Sequence, residues 1–431
     1  LVRRLYSPWL AAFTVGLLAL GSERVIRDQM TAVGGRAEAK PAVVALLLIA
    51  IAVAAGRIRR PRLALAAFGL LAGVGLWSDW LVAPYLAAAA AVLLVGAGRT
   101  IPSTGWALLL GGFTLGALPM IVDNLTAPHG HDSWSVLRRL HVDAGPPAPL
   151  ADHLRGALLT GVPLATGLCP ASGCAPWQMS WGVLAVALLL VAAALAAADL
   201  WRRRGPAAGS AADDARARRA RAAARLALAA AALVTVVAYA RSPAAAHTPL
   251  TSARYLTYLQ ISLPAALWPL CRAGAMAPST AGGWWRRMGG RLALALLATT
   301  TVAMALATAG QIAAIGPTRA EERRARALAE TLVAAGITHV YGEYWTCNRL
   351  IFYTRERVIC AVVGANLRPG HNRYAPYLRQ VHAAPRPAYA LVAGDPADRA
   401  FRARLAARGI SARVTEVGGY RVYEPAVPLR P

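Results

Sequence analysis

Long apolar windows without charge recur along this chain and limit the folds open to it. A charged side chain at the centre of a membrane helix costs roughly 2.5–3.5 kcal/mol, so such a window near ~20 residues predicts a span. The windows cover residues 8–22, 41–56, 63–78, 80–98, 104–122, 179–198, 226–240, 256–271 and 292–314. The sequence therefore predicts a mainly α, polytopic membrane bundle of about nine spans over residues 1–316.

The charge balance argues against nucleic acid as a partner. The net charge is +26, yet only 15% of residues are charged, and the basic residues lie largely between the apolar windows. Arginine in short loops marks the cytoplasmic side of a membrane protein. In a nine-span arrangement one side receives Arg3 and Arg4, Arg57 to Arg62, Arg202 to Arg225, and Arg286 to Arg291. We expect a multi-pass cell-membrane protein with the loop 123–178 and the C-terminal domain outside the cytoplasm.

The cysteines divide between the two predicted compartments. The positions are Cys169 and Cys174 in the outer loop, Cys347 and Cys360 in the tail, and Cys271 at the inner end of a span. Pairs on the oxidising side predict disulfides. A metal site would need two more ligands, and His129 and His131 lie about 40 residues away. Metal ligation and free buried thiols are the alternatives to disulfides.

After about Thr318 the composition becomes mixed and charged, which predicts a soluble α/β domain over residues 317–431. Helices are predicted at Arg319–Ala335 and Asp398–Ala407. Strands are predicted at His339–Trp345, Leu350–Tyr353, Val358–Val363, Tyr389–Val392 and Val414–Tyr423, the last interrupted by Gly418 and Gly419. The turn 354–357 would then join two strands into a hairpin, with the Cys347 to Cys360 disulfide running across it.

Aromatic residues mixed with Arg and Glu in this tail suit sugar or phosphate contacts. The candidate acceptor contacts are Tyr341, Glu343, Trp345, Arg349 and Arg373, and the same pattern includes Tyr344, Asn372, Tyr374, Pro376 and Tyr377. Core aromatics and surface ion pairs are the alternative reading of the same residues.

Two acidic residues near the predicted outer face are candidates for a general base, because ionisable groups at a membrane boundary are costly and often functional. Glu38 follows a Gly-Gly pair in the first outer loop, and Asp79 lies between Trp77 and Trp80. For Asp79 the alternative is a helix cap within an interfacial Trp belt.

Arg254 and Tyr255 open the eighth window from the predicted outer side. A guanidinium at this depth can pair bidentately with a lipid phosphate. The alternative is a simple interfacial anchor.

Six stretches of the chain form one set: Gly34 to Glu38, Gly73 to Asp79, Gly116 to Asn124, Ala253 to Leu256, and in the tail His339 to Trp345 and Asn372 to Tyr377. Together they resemble bacterial GT-C type membrane glycosyltransferases, in particular the protein mannosyltransferase and aminoarabinose transferase group. The resemblance implies transfer of a hexose or pentose from a polyprenyl-phosphate donor in the bilayer to an envelope glycan or protein acceptor. It implies that Arg254 holds the phosphate, with or without a divalent cation, and that Glu38 or Asp79 lines the sugar cavity.

One departure from the family's pattern limits which residue roles can be transferred to this sequence. The family's catalytic acidic residue lies in the first outer loop, several helices before the Gly-Gly-x-x-Glu region, which here arrives by residue 38. We therefore expect either a truncated enzyme or a relative without the base, and we transfer the catalytic role to no position. The rival class is a non-catalytic membrane protein: a silent relative, an envelope-assembly scaffold or a transporter.

Overall fold

The computed structural model describes residues 1–22, 24–26, 36–128, 130, 132–142, 147–202, 211–275, 284–372 and 374–431. The chain divides into two compact units, Leu1–Ile312 and Ala313–Pro431. The sequence predicts a domain boundary between residues 316 and 317, four residues from this division.

Helices build the first unit. Its α-helices are Val2–Leu5, Pro8–Ala19, Arg36–Ala54, Pro61–Ser78, Ala83–Ala97, Ser103–Gly116, Leu118–Thr126, Ser133–Val142, Leu150–Leu154, Val162–Thr166, Pro176–Arg202, Ala211–Arg241, Pro243–His247, Pro249–Ser252, Leu259–Ala275 and Trp284–Ala313. Short 3₁₀ helices lie at Trp80–Val82, Gly98–Thr100 and Ala253–Leu256, and a π-helix at Arg155–Gly161. Many of these helices begin with proline, whose missing N–H costs no hydrogen bond in the first turn.

Five helical stretches in the described chain are long and apolar enough to cross a membrane. They are Pro61–Ser78, Trp80–Ala97, Pro176–Arg202, Asp213–Arg241 and Arg287–Ala334. A sixth results if the helices Ser103–Gly116 and Leu118–Thr126, which meet at a bend of 56°, form one broken span. The prediction of a helical, membrane-compatible chain is thus supported, whereas the count of nine spans is not confirmed.

The other three windows form helices that do not meet the requirements for a span. Pro8–Ala19 has 12 residues, and Leu259–Ala275 has 17 with Pro264 and Pro269 inside it. Arg36–Ala54 has 19 residues, but it carries Glu38 and Lys40 in its first turns. These helices are shorter or more polar than the ~20 apolar residues that cross a bilayer.

Glycines let the helices Pro61–Ser78 and Ser103–Gly116 pack backbone to backbone. Each helix contributes two glycines four residues apart, namely Gly69 and Gly73 on one and Gly112 and Gly116 on the other. A Cβ on Gly112 would lie 2.4 Å from a carbonyl oxygen of the opposing helix. Small residues at this spacing are what close contact between membrane helices requires.

The second unit contains a five-stranded sheet of order β2-β1-β3-β5-β4. Its strands are β1 His339–Gly342, β2 Ile359–Val362, β3 Ala388–Val392, β4 Ala412–Val417 and β5 Tyr420–Pro425. β1, β2 and β3 are parallel, while β5 runs antiparallel to β3 and β4. Its helices are Ile315–Ala334, Tyr344–Thr354, Ala375–Ala383 and Pro396–Ala407.

The predicted strand Leu350–Tyr353 and its hairpin are wrong. These residues belong to the helix Tyr344–Thr354, whose buried residues Thr346, Cys347, Leu350 and Thr354 recur at helical spacing. The disulfide at Cys347 therefore joins a helix to β2 and does not cross a hairpin. The predicted interruption of Val414–Tyr423 at Gly418 and Gly419 is confirmed, because both glycines have positive φ angles and form the tight turn between β4 and β5.

We expect Gly112→Ala to lower the midpoint of thermal unfolding of the detergent-solubilised chain by several degrees. The added Cβ forces the two helices apart, and overpacking of this kind costs about 1–3 kcal/mol. The matched control is Gly111→Ala on the same helix, where an added Cβ meets no atom within 4 Å. Scanning fluorimetry of both variants makes the comparison, and equal midpoints would contradict the close packing.

Candidate functional site

The chain between residues 243 and 260 is a series of short helical pieces inside the first unit. Two helices, Pro243–His247 and Pro249–Ser252, are followed by the 3₁₀ turn Ala253–Leu256 and then by the helix that starts at Leu259. Prolines at the starts of the first two pieces prevent one continuous helix. Backbone and side-chain polar groups are consequently available within an apolar bundle.

Asp79 makes direct contact with this segment. Its Oδ2 accepts a hydrogen bond from the Tyr258 hydroxyl at 3.2 Å, and its Oδ1 accepts one from the Leu81 N–H at 3.0 Å. Tyr258 is completely buried. Asp79 therefore caps the 3₁₀ helix Trp80–Val82, which fits the capping alternative, and also joins a buried tyrosine.

Lys40, the one lysine of the chain, reaches the same segment. Its Nζ donates to Oε1 of Gln260 at 3.0 Å. Gln260 is buried, and its Nε2 donates to the Ala165 carbonyl at 3.1 Å. This amide thus links the lysine to the backbone of a third part of the bundle.

Arg254 precedes these contacts along the chain, on the 3₁₀ turn Ala253–Leu256, and is half-buried. Its Cζ is 5.4 Å from the centroid of the Tyr255 ring. Its Nε is buried and has no hydrogen-bond partner among the described residues, and the same holds for Oγ1 of Thr257. A ligand that accepts hydrogen bonds would satisfy this donor.

A second arginine approaches the start of the segment. Arg24 donates from Nη2 to the Thr251 carbonyl at 2.8 Å. Thr251 to Gln260 spans less than about 20 Å, because helical backbone rises at most ~2 Å per residue. Three cationic side chains and the Asp79 carboxylate therefore contact or belong to one short segment.

Glu38 is placed differently from Asp79. It is exposed and lies two positions before Lys40 on the helix Arg36–Ala54. Residues two apart on a helix do not face one another. Lys40 is thus the residue through which this helix reaches Gln260, and Asp79 is the carboxylate in contact with the segment.

Among the described residues there is no group of three or more His, Cys, Asp or Glu side chains arranged to hold a metal ion. His129 and His131 lie outside the residues that the structure describes.

The predicted acceptor contacts of the tail differ in their surroundings. Tyr341 is completely buried and packs against Tyr389 at 5.0 Å between ring centroids, so it is a core residue and cannot contact an acceptor. Trp345 is exposed, and Arg349 donates to Glu321 at 2.7 Å. Arg373 lies outside the described residues.

Glu343 follows β1 at the edge where the parallel strands end. Burial, and then the negative charge of Asp395, raises the pKa of the Glu343 carboxyl above its usual value. Asp395 follows β3, which pairs with β1. After β1 the chain crosses to β2, and after β3 it crosses the other way, towards β4. The opening between these two departing chain segments is the crevice where ligands of α/β folds usually bind.

Both predicted cysteine pairs are disulfides in the structure. Cys169 and Cys174 are joined, as are Cys347 and Cys360, and Cys271 is free.

Sequence reasoning missed Lys40, Tyr258 and Gln260. Two signals were present in the sequence: the isolation of the one lysine among 46 basic residues, and an amide inside an apolar window. Their partners lie about 180 to 220 residues away along the chain, so only the fold reveals the pairing.

Comparisons with protein-family models, with curated proteins and with solved structures find no match for this chain.

We expect Glu343→Gln to stabilise the second unit at neutral pH. A carboxyl with a raised folded pKa is penalised when ionised, so the penalty is absent below the unfolded value of about 4.3 and grows as pH rises through the folded pKa. The variant should slow hydrogen exchange in β3 at pH 7 and leave it unchanged near pH 4. Glu330→Gln, on the exposed surface of the helix Ile315–Ala334, is the control. Equal exchange in Glu343→Gln and parent at pH 7 would contradict the assignment.

Proposed function

We propose that this chain is a membrane glycosyltransferase that moves a sugar from a polyprenyl-phosphate donor to an envelope acceptor at the outer face of the cytoplasmic membrane. The observation that supports it most is the approach of Arg24, Lys40 and Asp79 to the segment that carries Arg254. Cationic donors suit a phosphate, and a nearby carboxylate suits activation of a hydroxyl.

In this proposal Arg254 binds the donor phosphate through the guanidinium edge that includes the unpartnered Nε. Lys40 and Arg24 add positive charge as the phosphate departs. Asp79 removes the proton of the acceptor hydroxyl, the freed oxygen bonds to the anomeric carbon, and the bond from that carbon to the phosphate oxygen breaks. Polyprenyl phosphate leaves with the bonding electrons. A divalent cation remains an optional addition to this set.

The apolar helices support a lipid-linked donor. A polyprenyl chain reaches a protein site laterally from the bilayer, which requires a bundle embedded in it. The disulfides support an outward orientation of the loop 123–178 and of the second unit, since disulfides persist in oxidising compartments. Free Cys271 is compatible with the reducing side.

A second candidate is a transporter of a phosphate-bearing lipid. The interrupted helices between residues 243 and 259 favour it, because transporters bind substrates where membrane helices are broken. A silent glycosyltransferase relative would keep the phosphate site without transfer. A glycosyltransferase breaks the bond between the sugar and the lipid phosphate, whereas a transporter or a silent relative leaves this bond intact.

Arg254→Ala should reduce sugar transfer by about a hundredfold or more, because one donor to a developing anion contributes about this much. The assay uses membranes that contain the full chain and radiolabelled polyprenyl-phosphate mannose or polyprenyl-phosphate arabinose. The control is Arg272→Ala at the far end of the helix Leu259–Ala275, which contacts Trp268.

Unchanged transfer in Arg254→Ala would refute the role of this arginine. Movement of the intact donor across vesicles without release of polyprenyl phosphate would favour the transporter.

Asp79→Asn should lower the transfer rate by about 10²–10⁴-fold, the range of a general base. Asparagine also caps helices, so the fold should be retained. Glu38→Gln is the matched control, because Glu38 is exposed, and we expect it to retain activity. The rates are compared at saturating donor, and a larger loss in Glu38→Gln than in Asp79→Asn would reverse the assignment.

A further inference from the structure

A cleft of about 640 Å³ lies within the second unit, and neither Glu343 nor Asp395 is among its lining residues. The helix Tyr344–Thr354 forms one side, and the other side includes His371, Asn372, Tyr374 and Tyr377. Its volume is that of a small-molecule site. Tyr344, Asn372, Tyr374 and Tyr377, which the sequence singles out for sugar or phosphate contacts, line it, whereas Tyr341, Glu343, Trp345 and Arg349 do not.

Aromatic rings on both sides of the cleft are open to solvent. Phe352 is 77% exposed and Tyr374 is 57% exposed. Tyr374 packs edge-on against Tyr377, with ring centroids 4.7 Å apart and planes at 75°, which leaves differently oriented rings along this side. Exposed aromatic faces carry negative partial charge and attract weakly positive C–H groups, such as those on the flat face of a sugar ring.

The cleft is held in shape before any ligand arrives. The Cys347 to Cys360 disulfide lies among its lining residues. Asn372 accepts a hydrogen bond from the Val362 N–H at 2.7 Å and donates to the carbonyls of Val362 and Gly370. A preformed site loses less conformational entropy on binding.

A strained turn supplies polar groups at the edge of the cleft. Arg355 and Glu356 both line it and have φ angles of 51° and 63°, in the left-handed region that glycine normally occupies. Two consecutive non-glycine residues of this kind are costly, and such strain concentrates at functional sites.

The charges in the cleft are mixed and do not favour an anion. Arg326 is paired with Glu322 at 2.8 Å and lies over the Tyr353 ring at 4.9 Å. Arg355 is followed by Glu356, so positive and negative groups alternate at the edge. Neutral hydroxyl-rich ligands suit such a surface better than phosphates do.

We propose that this cleft binds a neutral carbohydrate chain, with its sugar rings against Phe352 and Tyr374. If the bound carbohydrate is the acceptor of the proposed transfer, the acceptor class is a neutral glycan. Only this acceptor role rests on the proposed function; the binding of carbohydrate does not.

The test measures binding by the full chain in lipid nanodiscs without any donor. Saturation-transfer NMR is recorded with neutral tetrasaccharides of gluco, manno, galacto and arabino configuration, and separately with a proline-rich peptide. Phe352→Ala and Tyr374→Ala should each weaken tetrasaccharide binding at least tenfold, while Tyr374→Phe should retain it because the ring face remains. Trp345→Ala is the matched control, since Trp345 is 69% exposed on the same helix but does not line the cleft.

Binding of a tetrasaccharide that is lost in both alanine variants and kept in Trp345→Ala and Arg254→Ala supports the proposal. Absence of binding by all four sugars, equal loss in Trp345→Ala, or binding of the peptide alone would overturn it. Because no donor is present, a carbohydrate site established in this way would stand even if sugar transfer from polyprenyl phosphate were refuted.

Discussion

Polar side chains enclosed in an apolar helical bundle are costly without partners, and pairings of such groups tie distant parts of the first unit together. The Tyr258 hydroxyl reaches Asp79, and the Gln260 amide bridges Lys40 to a backbone carbonyl. An unpaired polar group in such surroundings costs several kcal/mol, so each contact fixes the segment relative to a distant helix. The same contacts that stabilise the segment also bring its charged groups together.

The glycine contact between Pro61–Ser78 and Ser103–Gly116 works by a different principle. No polar pairing is involved; the gain is van der Waals contact between two backbones, which any Cβ would prevent. The first of these helices ends at Ser78, next to Asp79. Close packing therefore positions the helix end from which the Asp79 carboxylate reaches Tyr258.

Sequence patterns predicted what depends on local composition and failed where contacts between distant residues decide. Apolar windows indicated helices, and Asp79 between two tryptophans indicated a cap. The run around Leu350 is short and rich in aromatic and β-branched residues, and such runs cannot be assigned to helix or strand by periodicity alone. The run forms a helix that packs against β2, to which the disulfide between Cys347 and Cys360 joins it. No local pattern couples Lys40 to Gln260.

The second unit offers two places for a ligand, and electrostatics separates them. The crevice at the ends of β1 and β3 contains the starts of two helices, whose N-termini would ordinarily attract phosphate. Glu343 and Asp395 occupy both N-cap positions, however, and their mutual repulsion contributes to the raised pKa of Glu343. A phosphate there would meet two carboxylates. The aromatic cleft has mixed charge and exposed rings, so within this unit it is the better place for a neutral sugar chain, whereas phosphate recognition suits the arginine and lysine side chains of the first unit.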